Sequence, residues 1–270
     1  MAYFVNINNL TFLQFDIFRN CDIVHFSSTI VNGASRNSYS SFNLGLYSGD
    51  EAENVLTNRN RLCAAFDIPT DGLFVPNQTH GDKILSVDAT FLSRNNEKKE
   101  RMLNGVDALI TDQANIGIAI ATADCVPVII YDPYKRVIAT IHAGWKGAVA
   151  KIAGKVVYRM IEDFDCKPED LLAGIGPCIS QERFEVGEEV LEIFSENGFS
   201  LNTIGQKNQL TGKVHLDLSL INKLTLMDSG VALQNIEEAN LCTYNSPDLF
   251  FSARRQTIYS GRMLTGGMIK

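Results

Sequence analysis

The sequence predicts one mixed α/β domain over residues 1–270, an α+β arrangement with more than one sheet. Three observations predict it. Apolar runs of strand length interleave with stretches of helical period along the chain. No run of Pro, Ser or Gly is long enough to mark a domain boundary, and no segment repeats at a fixed period. The stretch 116–147 groups three continuous apolar runs, 118–121, 126–131 and 136–141, bounded by turn residues. Continuous runs, rather than alternating ones, are the pattern of strands buried on both faces.

The first two apolar segments, 10–15 and 23–26, read as strands. Residues 27–41 are rich in Ser, Asn and Gly and read as a long loop closed by Asn43-Leu44-Gly45-Leu46. A structureless stretch of that length inside a compact domain is usually functional or disordered. Ser48-Gly49-Asp50-Glu51 has the spacing of a capping box. The helix it predicts puts Val55, Leu62 and Phe66 on one face and stops before Pro69. Asn58 and Arg59 fall near that face, and charge alone favours a solvated Arg59. Runs 73–75 and 84–87 read as strands flanking the polar turn Asn77-Gln78-Thr79-His80-Gly81-Asp82. Residues 94–101 are charged and read as a solvated loop, and 106–111 returns to strand.

The clearest helical period lies at 148–164, where Val149, Ile152, Ala153, Val156, Val157, Met160, Ile161 and Phe164 recur on one face. A strand at 171–175 runs into Gly176-Pro177-Cys178. Segments 186–196 and 218–228 read as helices closed by Gly198 and Gly230, and 236–241 as a strand.

Composition narrows the function classes. The chain is 45% hydrophobic and 20% charged, as a folded globular protein is. A net charge of −7 argues against general affinity for nucleic acid or anionic membrane, while leaving room for a local basic pocket. No run approaches the length of a membrane span, and the N-terminus lacks a basic region before its apolar residues. The expectation is a cytoplasmic protein, working as a monomer. The six cysteines are scattered, without zinc-finger spacing, and in a reducing compartment they read as free thiols. Cys21, Cys63 and Cys166 read as small buried hydrophobes.

Chemistry concentrates in the central stretch. If 126–131 and 136–141 pair antiparallel across the Asp132-Pro133 turn, Cys125 and His142 become neighbours at one sheet edge. Two of the four histidines, His80 and His142, stand at strand-to-turn positions near glycine. His25 and His215 lie within alternating patterns and read as structural strand histidines. Cys125 with His142 supports two readings, a thiolate nucleophile with a His base, or a catalytic zinc site with His80 as third ligand and one open position. Gly144-Trp145-Lys146-Gly147 opens the 148–164 helix, and free N–H groups there, with Lys146, suit a phosphate or carboxylate. A plain Gly-rich helix start reads equally well.

These blocks together resemble the YfiH family, long labelled multicopper polyphenol oxidase or laccase-domain proteins and later recognised as purine nucleoside phosphorylases. The matching blocks are Ser41-Phe42-Asn43-Leu44-Gly45-Leu46, Gln78-Thr79-His80-Gly81, Asp107-Ala108-Leu109-Ile110-Thr111 and Thr122-Ala123-Asp124-Cys125-Val126-Pro127. They continue through His142-Ala143-Gly144-Trp145-Lys146-Gly147, Gly176-Pro177-Cys178-Ile179, Phe184-Glu185-Val186-Gly187 and Gly261-Arg262-Met263. The resemblance implies a four-layer αββα sandwich similar to the catalytic fold of cytotoxic necrotising factor. It implies zinc held by His80, Cys125 and His142. It also implies phosphorolysis of adenosine, inosine, guanosine and methylthioadenosine, deamination of adenosine, and in some bacterial members peptidoglycan precursor editing. Ser180-Gln181-Glu182-Arg183 depart from the family pattern, so no site role carries to those four, and Ala253 stands where many members have Tyr before Arg-Arg, so no aromatic contact carries to that position.

The laccase label can be weighed by counting. A multicopper oxidase needs a blue-copper site plus a trinuclear cluster ligated almost wholly by histidine, and four histidines cannot supply both. Copper is therefore the poorer expectation and zinc the better. The usual zinc-deaminase signature, His-x-Glu with Pro-Cys-x-x-Cys, is also missing. The expected catalytic residues are His80, Cys125, His142 and Asp124, with Asn43, Arg59, Lys146 and Gly144 contacting substrate or phosphate. The partners are then purine nucleosides and phosphate. Two alternatives stand beside this reading, a cysteine hydrolase or amidase using Cys125 and His142, and a non-enzymatic module stabilised by metal.

Overall fold

Strands that are apolar on both faces need cover on both faces, and two sheets packed on each other supply half of it. In the computed structural model, which describes residues 1–270 apart from the side chain of Ile258, the strands fall in three sheets. In chain order they are β1 Tyr3–Ile7, β2 Leu10–Gln14, β3 Ile23–Ser28, β4 Leu73–Phe74, β5 Ile84–Ser86, β6 Ala108–Thr111, β7 Gly117–Thr122 and β8 Val126–Asp132. They continue as β9 Val137–Ala143, β10 Leu172–Ile175, β11 Glu185–Val186, β12 Gly205–Lys207, β13 Val214–Leu216, β14 Ile236–Glu238 and β15 Met263–Ile269. The first sheet has the order β1-β2-β3-β15-β7-β4, the second β14-β10-β8-β9-β6-β5, and a small third sheet β11-β13-β12.

The side-chain period of two sorts the residues of each strand between layers. Ile129 and Tyr131 of β8 and Ile138 of β9 meet Ile118 of β7, Phe15 and Ile269 in the core between the two large sheets. Val126, Val128 and Ile130 of β8, with Ala139 and Ile141 of β9, face the other way, onto Ile152, Val156 and Met160 of helix Ile152–Phe164 and Ile221 of helix Leu218–Asp228. On the far side of the first sheet, Phe12, Phe26, Ala119 and Leu264 pack against Leu62 and Cys63 of helix Ala52–Ala65. The order is helix, sheet, sheet, helix, the four-layer α+β sandwich expected. Each large aliphatic side chain fully buried in these layers contributes about 1.5–3 kcal/mol.

Three local expectations are corrected. Ser48 does not cap a helix. Its hydroxyl donates to Gly45 O at 2.7 Å and accepts from Asn43 Nδ2 at 2.8 Å. The helix starts later, at Ala52, behind Glu51 and without a side-chain cap, although Val55, Leu62 and Phe66 are buried as expected. The charged run 94–101 is not a loop but falls largely within helix Asn96–Leu103. Asn95 Oδ1 accepts from Lys98 N there, and Glu97 pairs with Arg101 one turn on. The 148–164 helix is two, Trp145–Val149 and Ile152–Phe164, with Lys151 left-handed at φ 55 between them. The apolar face survives the break, because Val149 and Ile152 are both buried.

The segment after β3 is ordered by one side chain. Asn58, fully buried, accepts from Ala34 N at 2.8 Å and donates to Ser35 Oγ, Ser41 O and Asn43 O. A buried amide with its hydrogen bonds satisfied rigidifies what it touches. This loop therefore forms a fixed wall beside the ends of β7 and β15.

Candidate active site

β8 and β9 pair antiparallel with Val126 opposite Ala143 and Pro127 opposite His142. That register brings Cys125, one residue before β8, beside His142 near the end of β9. His142 shares the face of Ile138 and so points toward the first sheet. The third group comes from the turn between β4 and β5, where His80 takes a left-handed φ of 61, a conformation histidine tolerates better than most residues. The donor atoms of His80, Cys125 and His142 all lie within 4.8 Å of one another. The two imidazoles meet edge to face, with centroids 4.8 Å apart.

A buried carboxylate organises this arrangement. Asp107, at 0% exposure, accepts from His142 Nδ1 at 2.7 Å, from His80 N at 3.0 Å, from Gly81 N at 2.7 Å and from Thr79 N at 3.3 Å. With Nδ1 donating to Asp107, His142 presents Nε2 to the cluster, the tautomer a metal or a thiolate needs. Burial pushes the Asp107 carboxyl up, but its bonds to His142 and the turn amides hold it below the usual range. Burial likewise pushes the Cys125 thiol up, and the charge and hydrogen bonds of His142 and His80 outweigh it, leaving it at about 6. His142 is lowered by burial and raised more by Cys125 and Asp107, to about 9. Each of the two groups thus stabilises the charged form of the other.

Two nitrogens and a sulfur at this spacing suit zinc, with one coordination position left open. The fit has a second sign in Gly144. A Cβ there would stand 3.0 Å from His80 Cδ2 and 3.2 Å from Cys125 Sγ, so a side chain would fill the cradle the three donors share. Among the described residues no other such group of three occurs. His25 lies away in β3, where Nε2 accepts from Phe15 N at 2.8 Å, and His215 lies in β13.

The cluster opens into a cavity of about 600 Å³, within the usual size of small-molecule sites. Its other walls carry Arg59, Arg254 and Arg262, with Val75, Ile179 and Phe184 as apolar surface. Arg59 is half-buried rather than solvated. Its Nε donates to Leu44 O at 2.8 Å, and burial lowers the guanidinium to about 10, still cationic at neutral pH. Arg262 is also lowered by burial, and its Nη1 donates to Ser260 O and Gly261 O.

Residues 24–270 match the family described as multi-copper polyphenol oxidoreductase laccase. The chain is 45% identical over 248 residues to a purine nucleoside phosphorylase of Bacteroides thetaiotaomicron, 92% of each chain. It is 41% identical over 241 residues to an adenosine deaminase from an unknown prokaryotic organism, covering 89% of this chain and 92% of that one. The crystal structure of YlmD from Geobacillus stearothermophilus superposes with a TM-score of 0.89 at 28% identity over the whole of both chains. That of a YfiH protein from Bacillus licheniformis gives 0.88 at 28% identity over 96% of each. The chain belongs to the YfiH family.

The remaining expected residues spread out around the YfiH cavity. Asp124 lines it, but both carboxylate oxygens are engaged. Oδ1 accepts from Thr243 Oγ1 at 2.6 Å, and Oδ2 accepts from Arg254 N at 2.6 Å and Ser252 Oγ at 3.0 Å. Asn43 is fully buried behind the wall, and its Oδ1 accepts from Gly45 N and Arg262 N, two residues that do line it. Lys146 is exposed, with its ammonium 5.6 Å from the Trp145 ring, and it is not part of the lining. Gly144 sits against the donors rather than against the arginine wall. Gln78, Asp107 and Arg262 lie in the matching blocks, but the sequence reading assigns no site role to any of them, nor to Arg254. A lone Asp opening an apolar strand was the available sign for Asp107, and a basic residue heading the last apolar run was the sign for Arg262.

Proposed function

We propose that this chain is a purine nucleoside phosphorylase with zinc held by His80, Cys125 and His142. One observation carries the reading. A single cavity has the His-Cys-His cluster in one wall and three arginines in the others. Its named relatives include purine nucleoside phosphorylases and an adenosine deaminase. The substrates are purine nucleosides (adenosine, inosine, guanosine and methylthioadenosine) with inorganic phosphate, and adenosine deamination belongs to the same proposal. Zinc bound to the three donors supplies a Lewis acid beside the substrate.

This chain's own residues bind and orient. Arg59 and Arg262 carry the charge that a phosphate needs, and charge-assisted hydrogen bonds from guanidinium are the strong ones. We therefore place phosphate at the arginine wall, not at Gly144 and Lys146. In the reaction a phosphate oxygen forms a bond to ribose C1′ while the C1′–N9 bond breaks; the electron pair of that bond leaves on N9, and the purine takes up the proton that the hydrogen phosphate gives up. Phe184, Ile179 and Val75 offer apolar surface for the base. Asp124 holds the Arg254 segment against the cavity and takes no proton-transfer role, since both its oxygens already accept. Asn43 acts through Arg262 and Gly45. The net charge of −7 argues against nucleic acid as partner. We take the enzyme to be one domain working as a cytoplasmic monomer, and among the described residues no helix is long and apolar enough to cross a membrane.

The test is a product assay. Adenosine or inosine should be consumed slowly without phosphate, and added phosphate should release free purine with an equal amount of ribose 1-phosphate. Purine release that ignores phosphate and yields free ribose overturns the proposal.

A second reading rests on the chain Cys125, His142 and Asp107, which has the order of nucleophile, base and orienting carboxylate. It is a cysteine hydrolase or amidase, directed at amide substrates such as peptidoglycan precursors. Metal-free protein with full esterase or amidase activity would favour it.

A further inference from the structure

The edge of β7 that β4 covers is covered only briefly. β4 pairs with β7 at Leu73 opposite Gly117 and Phe74 opposite Ile118, and then the chain turns away through Val75, Pro76 and Asn77. Further along the same strand, the backbone of Ala121 is taken up by a side chain. Gln78 Nε2 donates to Ala121 O at 2.8 Å, and Gln78 Oε1 accepts from Ala121 N at 2.7 Å. A primary amide carries one acceptor and two N–H donors, so this pair of bonds copies the exchange a neighbouring strand would make.

Both ends of this link lead directly to cluster residues. His80 follows Gln78 by two residues, and Cys125 follows Ala121 by four. The turn that carries His80 is fixed on its other side by Asp107, through the amides of Thr79, His80 and Gly81. Asp107 ties that turn to His142. It does not tie the turn to the loop that carries Cys125.

We propose that Gln78 is a positioning residue for the zinc ligands, clamping the His80 turn to the β7 strand that feeds Cys125. Together with Asp107 it makes the three-donor spacing a property of the folded chain before any ion arrives. This rests on the zinc reading of the site. Its consequence is specific, because a side chain two residues from one ligand, bonded to a backbone unit four residues from another, sets affinity without touching the ion.

The experiment uses Gln78→Met, which keeps the length of the side chain and loses both bonds, and Gln78→Glu, which keeps the bond from Ala121 N and sets a carboxylate against Ala121 O. Zinc affinity is measured on chelator-treated full-length protein by competition with a chromophoric chelator, below the unfolding temperature of each variant. Thermal unfolding of the metal-free forms is followed separately. Both variants should bind zinc about 10–100-fold more weakly than wild type, the usual cost of losing an outer partner of a metal site. If Gln78→Met does not fold, Gln78→Glu carries the test. Lowered unfolding temperature with wild-type zinc affinity overturns the positioning role and leaves the zinc site standing. Failure of the wild type itself to bind zinc overturns both.

Discussion

Replacing Gly144 by alanine isolates the geometry of the cluster from the stability of the fold. The residue stands at φ −67 and ψ 169, a backbone conformation open to any L-residue. The added methyl would lie 3.0 Å from His80 Cδ2, about half an ångström inside the roughly 3.5 Å at which carbon atoms rest. Cys125 Sγ, at 3.2 Å, is crowded as well. The exposed His80 ring gives way more easily than the half-buried Cys125 or the buried His142. Metal–ligand distances tolerate only about 0.2 Å, so the displacement exceeds what the site can absorb. The expected result for Gly144→Ala is zinc binding weakened about 10–100-fold, or ~1.4–2.7 kcal/mol. The metal-free protein should lose no more than about 1 kcal/mol, the scale of a changed helix N-cap. Chelator competition measures the first quantity and urea unfolding of metal-free protein the second. Wild-type zinc affinity in Gly144→Ala would refute the reasoning. A raised phosphate KM with zinc affinity intact would refute it in a telling way, because Gly144 would then serve close approach of an anion.

Three further outcomes are expected. Arg262→Met or Arg59→Met should raise the phosphate requirement about tenfold or more at constant zinc content, the worth of one charged hydrogen bond, whereas Lys146→Ala should leave it near wild type; the reverse order in phosphate titrations would return the anion site to the Gly144–Lys146 turn. In metal-free protein at pH 7, Cys125, with its thiol near 6, should react with a maleimide well before Cys166 and Cys178, whose thiols burial pushes up, and zinc should protect it; equal labelling with and without zinc would remove Cys125 from the ligand set. Burial holds His25 at about 4 against an ordinary 6.5, so the unfolded chain binds the proton first and stability falls as pH drops from about 6.5 toward 4, by up to ~3 kcal/mol. Urea midpoints of wild type and His25→Gln, which keeps an acceptor for Phe15 N, should diverge across that window, and parallel pH profiles would show that His25 is not held neutral.

How much of this was legible in sequence depended on whether a signal was local. The neighbourhood of Cys125 and His142 was legible because β8 and β9 are unbroken apolar runs joined by a tight Asp-Pro turn, which leaves one sensible register. Most strands of the two large sheets and the helix face of Val55, Leu62 and Phe66 were legible for the same reason, whereas β1, β11, β12 and the central β15 were not read as strands. The break at Lys151 was not, since the apolar period runs on across it and only a backbone angle records it. Charge misled twice. Residues 94–101 looked like solvated loop because that run holds no apolar residue, the helix's Met102 and Leu103 coming only at its end, and Arg59 looked solvated because its partner is a backbone carbonyl from another segment. Asp107 and Gln78 act through backbone amides and carbonyls of distant residues, a kind of contact that leaves no spacing pattern in the chain.

The strand β15 comes after all the others in sequence, yet it sits inside the first sheet, with β3 on one side and β7 on the other. A ribosome delivers it after every strand it must join. Until then β3 and β7 have no partner on those edges, and the nascent chain must keep two apolar strands apart without pairing them to each other. The pairing of Ser27 with Thr265 closes a loop of more than two hundred residues, the kind of distant contact that makes folding slow. The segment bearing His80, Cys125 and His142 is complete much earlier, whereas Arg254 and Arg262 emerge with the closing strand. During synthesis the three clustered donors therefore emerge before the arginine wall is complete, and a chain cut short before Met263 retains those donors but cannot close its sheet.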